Sequence, residues 1–215
     1  KRVIPPQELD IWIPDKNIAI EYNGVYWHSV VRNTDPKYHL NKYLACKEKG
    51  IHLIQIFDID WENKKDLIKN RIKAVLGNSK KIHGRKTIVK QIQNIEAKVF
   101  CEQHHLAGWA TASVCYGAFY KDELVAVMTF AKPRYSKIAE YELVRYCSVG
   151  QVVGGAGKLF SRFCVDVKPN SVISYADRCW SNGVLYDKLG FTDITNEGNV
   201  GYFYADRNKR YHRSS

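Results

Sequence analysis

Residues 8–28, ELDIWIPDKNIAIEYNGVYWH, bring acidic and imidazole side chains together at a spacing suited to metal-assisted chemistry. LDIWIP alternates in the manner of a strand, Pro14, Asp15, Lys16 and Asn17 supply turn chemistry, and IAIEY resumes as a second strand. Strand side chains point to alternate faces, so Glu8 and Asp10 share one face of the first strand and Glu21 and Asn23 share one of the second. If those faces coincide, Asp10 and Glu21 converge. Converging carboxylates repel unless a cation lies between them, and a hard divalent ion such as Mg²⁺ meets that need. Such an ion polarises a phosphoryl oxygen and helps generate hydroxide from water. Asn23 and Gly24 turn the chain back, which places His28, beside Trp27, as a base for that water. Taken singly, an acidic group near a strand end is a solvated surface residue, and a histidine beside a tryptophan is as readily a core residue. Glu21 stands apart because it follows the apolar IAI, where an unpaired carboxylate costs several kcal/mol.

The elements that must position these groups follow in order. Asp35 and Pro36 form an N-cap and N1 pair for the helix KYHLNKYLACKEK, which Gly50 stops. His39, Lys42 and Cys46 fall on one side of it, either as a solvated face or as groups that serve the site. IHLIQIFDID is a continuous apolar run, expected as a strand covered on both faces and ending in Asp58 and Asp60, so a strand–helix–strand crossover is expected. ENKKDLIKNRIKAVL reads as an amphipathic helix closed by Gly77. The basic stretch NSKKIHGRK is the best boundary in the chain. Beyond it come a strand TIVKQI and a helix NIEAKVFCEQHHL. A hairpin SVCYGAFY/LVAVMTFA and a strand YELVRYCS follow. Then come the glycine-rich GQVVGGAGKLFSRF opening a helix, a strand SVISYADR, a short helix SNGVLYDKL, and final strands FTDI and GYFYAD. His104 and His105 are adjacent on a helix and diverge, so they make poor joint metal ligands.

The net charge of +11, from 33 basic and 22 acidic residues, suits a polyanionic partner, although a merely basic surface gives the same count. Six cysteines without a CxxC pair read as reduced, buried small hydrophobes in a cytosolic setting. No segment approaches a membrane span, and neither a signal peptide nor an initiator methionine is present, which points to a fragment or processed product.

Asp10, then Gly24, then Tyr26-Trp27-His28 resembles the very-short-patch-repair (Vsr) endonucleases of the PD-(D/E)xK superfamily, above all phage Vsr-like homing endonucleases. The resemblance implies a Mg²⁺-dependent nuclease acting on double-stranded DNA in the cytoplasm, that of the host cell for a phage protein. Asp10 would be the first metal ligand and His28 the catalytic histidine. Glu21 rests on the wider superfamily pattern, with the Tyr22 carbonyl completing the ligand set, and Asn23 stands where that pattern has lysine. Glu8 would substitute for a glutamate that the repair enzymes draw from an N-terminal helix. His39 and Lys42 would face phosphate, and Trp27 would pack on a sugar or base or in the core. In the second half the element order and the residues Gln151, Gly154 and Ala156 are similar to the GNAT acyltransferase fold, more narrowly to the Mom-type DNA modification proteins. By that likeness Gln151, Gly154, Gly155, Ala156, Gly157 and Lys158 would hold acyl-coenzyme A or a related donor. Arg145, Tyr175 and Asp177 would lie near a second reacting centre. The expected fold class is mixed α/β: a nuclease core over 1–77, a basic linker over 78–84 and a GNAT-like domain over 85–215. The alternative is a transferase modifying a DNA base, with the first domain a degenerate DNA-binding adaptor.

Overall fold

The computed structural model describes residues 3–24, 37–194, 202–206 and 209–212, the last two groups by backbone alone. It contains both helices and sheets and divides into two compact units. The first comprises Lys1–Lys65, Ala176–Asp187 and Thr192–Ser215, and the second Asp66–Tyr175 and Lys188–Phe191.

The first unit opens with β1 (Ile11–Ile13) and a single 3₁₀ turn over Pro14–Lys16. Asn17 then takes a left-handed φ of 51°, a conformation its short polar side chain tolerates, and the chain reverses into β2 (Ile18–Asn23). The two strands pair antiparallel, Ile11 opposite Ile20. Next comes α1 (Tyr38–Glu48), and Gly50 at φ +67° releases the chain into β3 (His52–Phe57). β3 pairs parallel with β2 along its whole length, from Ile18 opposite His52 to Asn23 opposite Phe57. The expected strand–helix–strand crossover is therefore present, with β2 central in the sheet. Leu40, Tyr43 and Cys46 of α1 bury themselves with Leu9, Ala19, Ile51 and Leu53 in one core cluster. The free edge of β3 is covered too: the Gln55 N–H donates to the Cys179 carbonyl at 2.8 Å and His52 Nε2 donates to the Trp180 carbonyl at 3.0 Å.

Two expectations about element limits need correction. Asp58 and Asp60 do not end a strand: α2 (Asp58–Val75) begins directly after β3, with both carboxylates in its first turn, where the helix dipole favours negative charge. This helix departs from helical geometry at Lys64 (φ −138°, ψ 32°), and the division between units follows Lys65. The stretch expected as a linker instead forms β4 (Lys81–His83) and a short 3₁₀ turn over Gly84–Lys86.

The second unit continues with β5 (Ile88–Gln91), α3 (Asn94–His104), β6 (Val114–Tyr120), β7 (Glu123–Ala131), β8 (Tyr141–Ser148), β9 (Gln151–Val153), α4 (Gly155–Val167) and β10 (Val172–Ser174). Gln93 and Glu96 start α3 with a reciprocal capping box. Lys121 and Asp122, both at positive φ, form the two-residue turn between β6 and β7, whose twist suits a hairpin. The sheet order is β10-β8-β7-β6-β5, antiparallel except for β10 against β8. One layer of core joins α3 to the sheet through Ala97, Phe100, Cys101, Cys115, Val127 and Cys147. Another is aromatic, with Phe163 of α4 stacked on Phe130 at 3.6 Å between ring centres. β4 and β9 form a separate parallel pair. The chain then forms α5 (Val184–Lys188), β11 (Tyr202–Asp206) and β12 (Lys209–His212), the last two paired with each other. The expected strand FTDI is not formed, since residues 191–194 adopt no regular structure. The described cysteines are all free thiols, and five of the six are buried.

Candidate active site

Asp10 precedes β1 at the position that continues the antiparallel register opposite Glu21. The pair is tied reciprocally: the Asp10 N–H donates to Glu21 Oε1 at 2.9 Å, and the Tyr22 N–H donates to Asp10 Oδ2 at 2.9 Å. Asp10 is exposed, whereas Glu21, on the central strand beneath α1, is only 4% exposed. Its second oxygen, Oε2, accepts a hydrogen bond from Lys42 Nζ, and Lys42 is also 4% exposed. A solvated helical face does not account for Lys42. Burying either charge alone costs several kcal/mol, so each is held in place by the other. Cys46, one turn further along α1, has its thiol pushed up to about 11 by burial first and then by the Glu21 charge, with Lys42 opposing.

The register explains why this is a polar island. Along the face covered by α1, the opposed pairs of β2 and β3 run Ala19 with Leu53, Glu21 with Gln55, and Asn23 with Phe57. One end joins the apolar core while the other is polar. His39, one turn before Lys42, donates from Nδ1 to Gln55 Oε1 at 2.8 Å. Its ring meets Tyr38 and Phe57 edge-on, at 5.3 and 5.5 Å between centroids. Two carboxamide nitrogens here, Asn23 Nδ2 and Gln55 Nε2, are buried without a hydrogen-bond partner among the described residues. Gln55 is the residue that sequence reasoning missed. Its signal is a polar side chain inside the apolar run HLIQIF, two positions from Leu53 and Phe57 on the same face.

The other expected site residues are placed as follows. Glu8 is exposed. The Tyr22 side chain is half exposed, and its phenol is raised above its ordinary value by burial first, then by Asp58 and Glu62. Trp27 and His28 lie outside the described residues. Among the described residues, no three His, Cys, Asp or Glu side chains gather as a metal-ligand group. The donor set that Asp10, Glu21 and the Tyr22 carbonyl offer is all hard oxygen, the kind Mg²⁺ takes, although three of the four carboxylate oxygens already accept hydrogen bonds within the chain.

The glycine-rich region is different. Gln151 Nε2 donates to the Ala74 carbonyl, and Lys158 Nζ donates to the carbonyls of Gly84 and Thr87. Gly154 takes φ +74° as the residue before α4. A Cβ on Gly84 would lie 2.9 Å from both Gly154 C and Gly155 N, so the chain's own backbone packs directly on the turn. Gly155 and Ala156 are themselves buried, while Gly157 lies in α4. Arg145 Nε donates to the Gly108 carbonyl at 3.0 Å, and the exposed Tyr175 meets Tyr135 edge-on. Asp177 Oδ1 accepts the Cys179 N–H at 3.0 Å. Arg145 and Tyr175 belong to the second unit and Asp177 to the first. No helix among the described residues is long and apolar enough to cross a membrane. Compared with known proteins, the chain matches no family model, no curated protein and no solved structure.

Proposed function

We propose that the first unit is the active site of a Mg²⁺-dependent endonuclease of double-stranded DNA, of the phage Vsr-like, homing-endonuclease kind, acting in the cytoplasm. The observation that carries this reading is the buried Glu21 carboxylate, tied to Asp10 on one side and to Lys42 on the other. The superfamily pattern sets a lysine two residues after this glutamate, where Asn23 stands. Lys42 supplies that ammonium from α1 instead. Asp10, Glu21 and the Tyr22 carbonyl would hold the ion, which when bound supplies Lewis-acid polarisation of a phosphoryl oxygen and a water of lowered pKa. Lys42 would leave its bond with Glu21 to offset charge on the phosphate. The exposed Asp10 is the carboxylate that meets solvent, and therefore substrate, first. The positive net charge supports a phosphate backbone as partner.

The rival reading, a GNAT-like transferase that modifies a DNA base with an acyl-coenzyme A donor, is weaker because Gln151 and Lys158 already bond the chain's own carbonyls. The test is plasmid cleavage with Mg²⁺, beside incubation with acyl donors and analysis of nucleosides. Asp10→Ala is expected to retain its fold and its DNA affinity while cleavage falls by about 10²-fold or more. Cutting by this variant at the wild-type rate refutes the assignment, and modified nucleosides without nicks favour the transferase.

A further inference from the structure

The positive charge of this chain is concentrated in one stretch. From Leu67 to Ile95 there are eight lysines and arginines and no aspartate or glutamate, while the remaining 186 residues hold 25 basic and 22 acidic side chains. The whole stretch lies in the second unit. Its middle has the composition of a linker, yet its backbone is fixed. β4 pairs with β9 from Lys81 opposite Gln151 to His83 opposite Val153, and the Gln151 N–H donates to the Lys80 carbonyl at 3.3 Å. Gly84 packs on the turn before α4. Its carbonyl accepts from Lys158 Nζ at 3.1 Å and from the Thr87 N–H and hydroxyl at 3.0 and 2.7 Å. The glycine-rich region therefore clasps this strip.

The strip's side chains are in the opposite condition. Ile82, Gly84 and Thr87 turn inward and are buried, which leaves Lys80, Lys81, Arg85 and Lys86 exposed. Among the described residues none of these four has a side-chain hydrogen bond, ion pair or ring contact, whereas Arg162 is paired with Asp166 and Lys90 lies over the Phe119 ring. Four cations held close together on ordered backbone repel one another, and a polyanion relieves that repulsion. The backbone has already lost its conformational freedom in folding, so binding does not have to order it. An anionic lipid surface takes an apolar face beside its lysines, and in residues 80–90 Ile88 is the only exposed large hydrophobic residue. A phosphodiester backbone needs no such face and takes lysine and arginine directly on its phosphates.

We propose that Lys80, Lys81, Arg85 and Lys86 form a docking strip for the phosphate backbone of duplex DNA, held in shape by the glycine-rich turn. Binding there is independent of sequence, because phosphate contacts set position and carry no base information. The inference rests on the nuclease reading for its DNA partner, and adds to it a surface of the second unit.

The experiment follows binding of the full chain to a fluorescently labelled duplex by anisotropy, in EDTA, across a salt series and with two unrelated sequences. The variant Lys80→Gln/Lys81→Gln/Arg85→Gln/Lys86→Gln removes the strip's charges. A comparison variant, Lys98→Gln/Lys132→Gln/Lys137→Gln/Lys168→Gln, removes the same number of exposed charges elsewhere in the second unit. The plot of log affinity against log salt falls by about 0.9 per phosphate contact, so the strip variant should lose about three to four from the wild-type slope with both sequences. Each single change within the strip should lose about one. At ~0.1 M salt the strip variant should bind at least about tenfold more weakly than the wild type, and the comparison variant should lose less than about one from the slope. Equal slopes and affinities in the two variants overturn the proposal. So does a wild type that ignores duplex DNA and binds vesicles of phosphatidylserine and phosphatidylcholine. Plasmid cleavage in Mg²⁺, run in parallel, separates the two readings. A wild type that binds through the strip and cuts nothing overturns the nuclease reading and upholds the strip. A wild type that cuts, beside a strip variant that binds like the comparison variant, overturns the strip alone.

Discussion

Around Glu21 in the first unit, a buried ion pair lies among carboxamides whose donors find no acceptor among the described residues, whereas at residues 151–158 in the second unit the polar side chains Gln151 and Lys158 are bonded to the chain's own carbonyls. Both regions are built where a helix meets short strands, and both carry residues whose types suit phosphate. They differ in what remains for a ligand. An unsatisfied buried donor is a standing cost that a bound group can relieve, while a satisfied one must first break a bond before it can serve. Residue type alone therefore does not separate the two regions; the partners of Gln151, Lys158 and Gln55 do.

The largest expected effect tests the ion pair. Lys42→Met leaves the Glu21 carboxylate buried without its counter-charge and should destabilise the first unit by about 3–5 kcal/mol, read by urea unfolding. The double variant Glu21→Leu/Lys42→Met removes both charges and should recover much of that loss; a loss equal to the sum of the single changes would show that the two residues do not act as a pair.

A smaller effect tests the packed turn of the second unit. Gly84→Ala forces a methyl against Gly154 and Gly155, and should cost about 1–3 kcal/mol by pushing the 3₁₀ turn away from α4. If the same variant gained affinity for an acyl-coenzyme A by calorimetry, the region would be a masked donor site rather than a structural joint, and the contrast would narrow.

The smallest effect is read in alkali. Burial pushes the Cys115 thiol and the Tyr116 phenol of β6 up to about 12, Cys101 adding to the first and the hydrogen bond with Asp166 to the second. In the first unit Cys46 reaches about 11. A group held neutral by the fold contributes stability that is fully present below its unfolded value and is lost as pH rises through the folded one. For the thiols that window opens at the ordinary value of 9.0 and runs to about 12 for Cys115 and about 11 for Cys46. Unfolding midpoints should therefore decline above pH 9, and Tyr116→Phe should reduce the decline in the second unit's transition. An unchanged alkaline profile in that variant would remove Tyr116 from the account.

Much of the fold is legible in the amino-acid sequence. The hairpin of β1 and β2 with its turn, the helix stopped by Gly50, the β6/β7 hairpin and the helix after the glycine-rich loop all announce themselves through period, turn residues and caps, which act over a few positions. What misled was also local. The acids of Asp58 and Asp60 resemble a strand end because an apolar run precedes them, yet they equally suit a helix N-terminus, and the chain took that option. NSKKIHGRK has the composition of a linker, and pairing of β4 with β9, some seventy residues away, cannot be seen in composition.

At the site, Asp10, Glu21 and Lys42 were legible as residue types at strand and helix spacings. By itself the sequence determined which side chains share a face, because the alternation of a strand and the turn of a helix are fixed by backbone geometry. Tertiary structure alone decided that Lys42 is buried on Glu21 and that His39 meets Gln55. It also decided that Lys158 is spent on the chain's own carbonyls. Each of those outcomes depends on desolvation and on partners distant in sequence, and burial converts an ordinary surface charge into one that must find its complement.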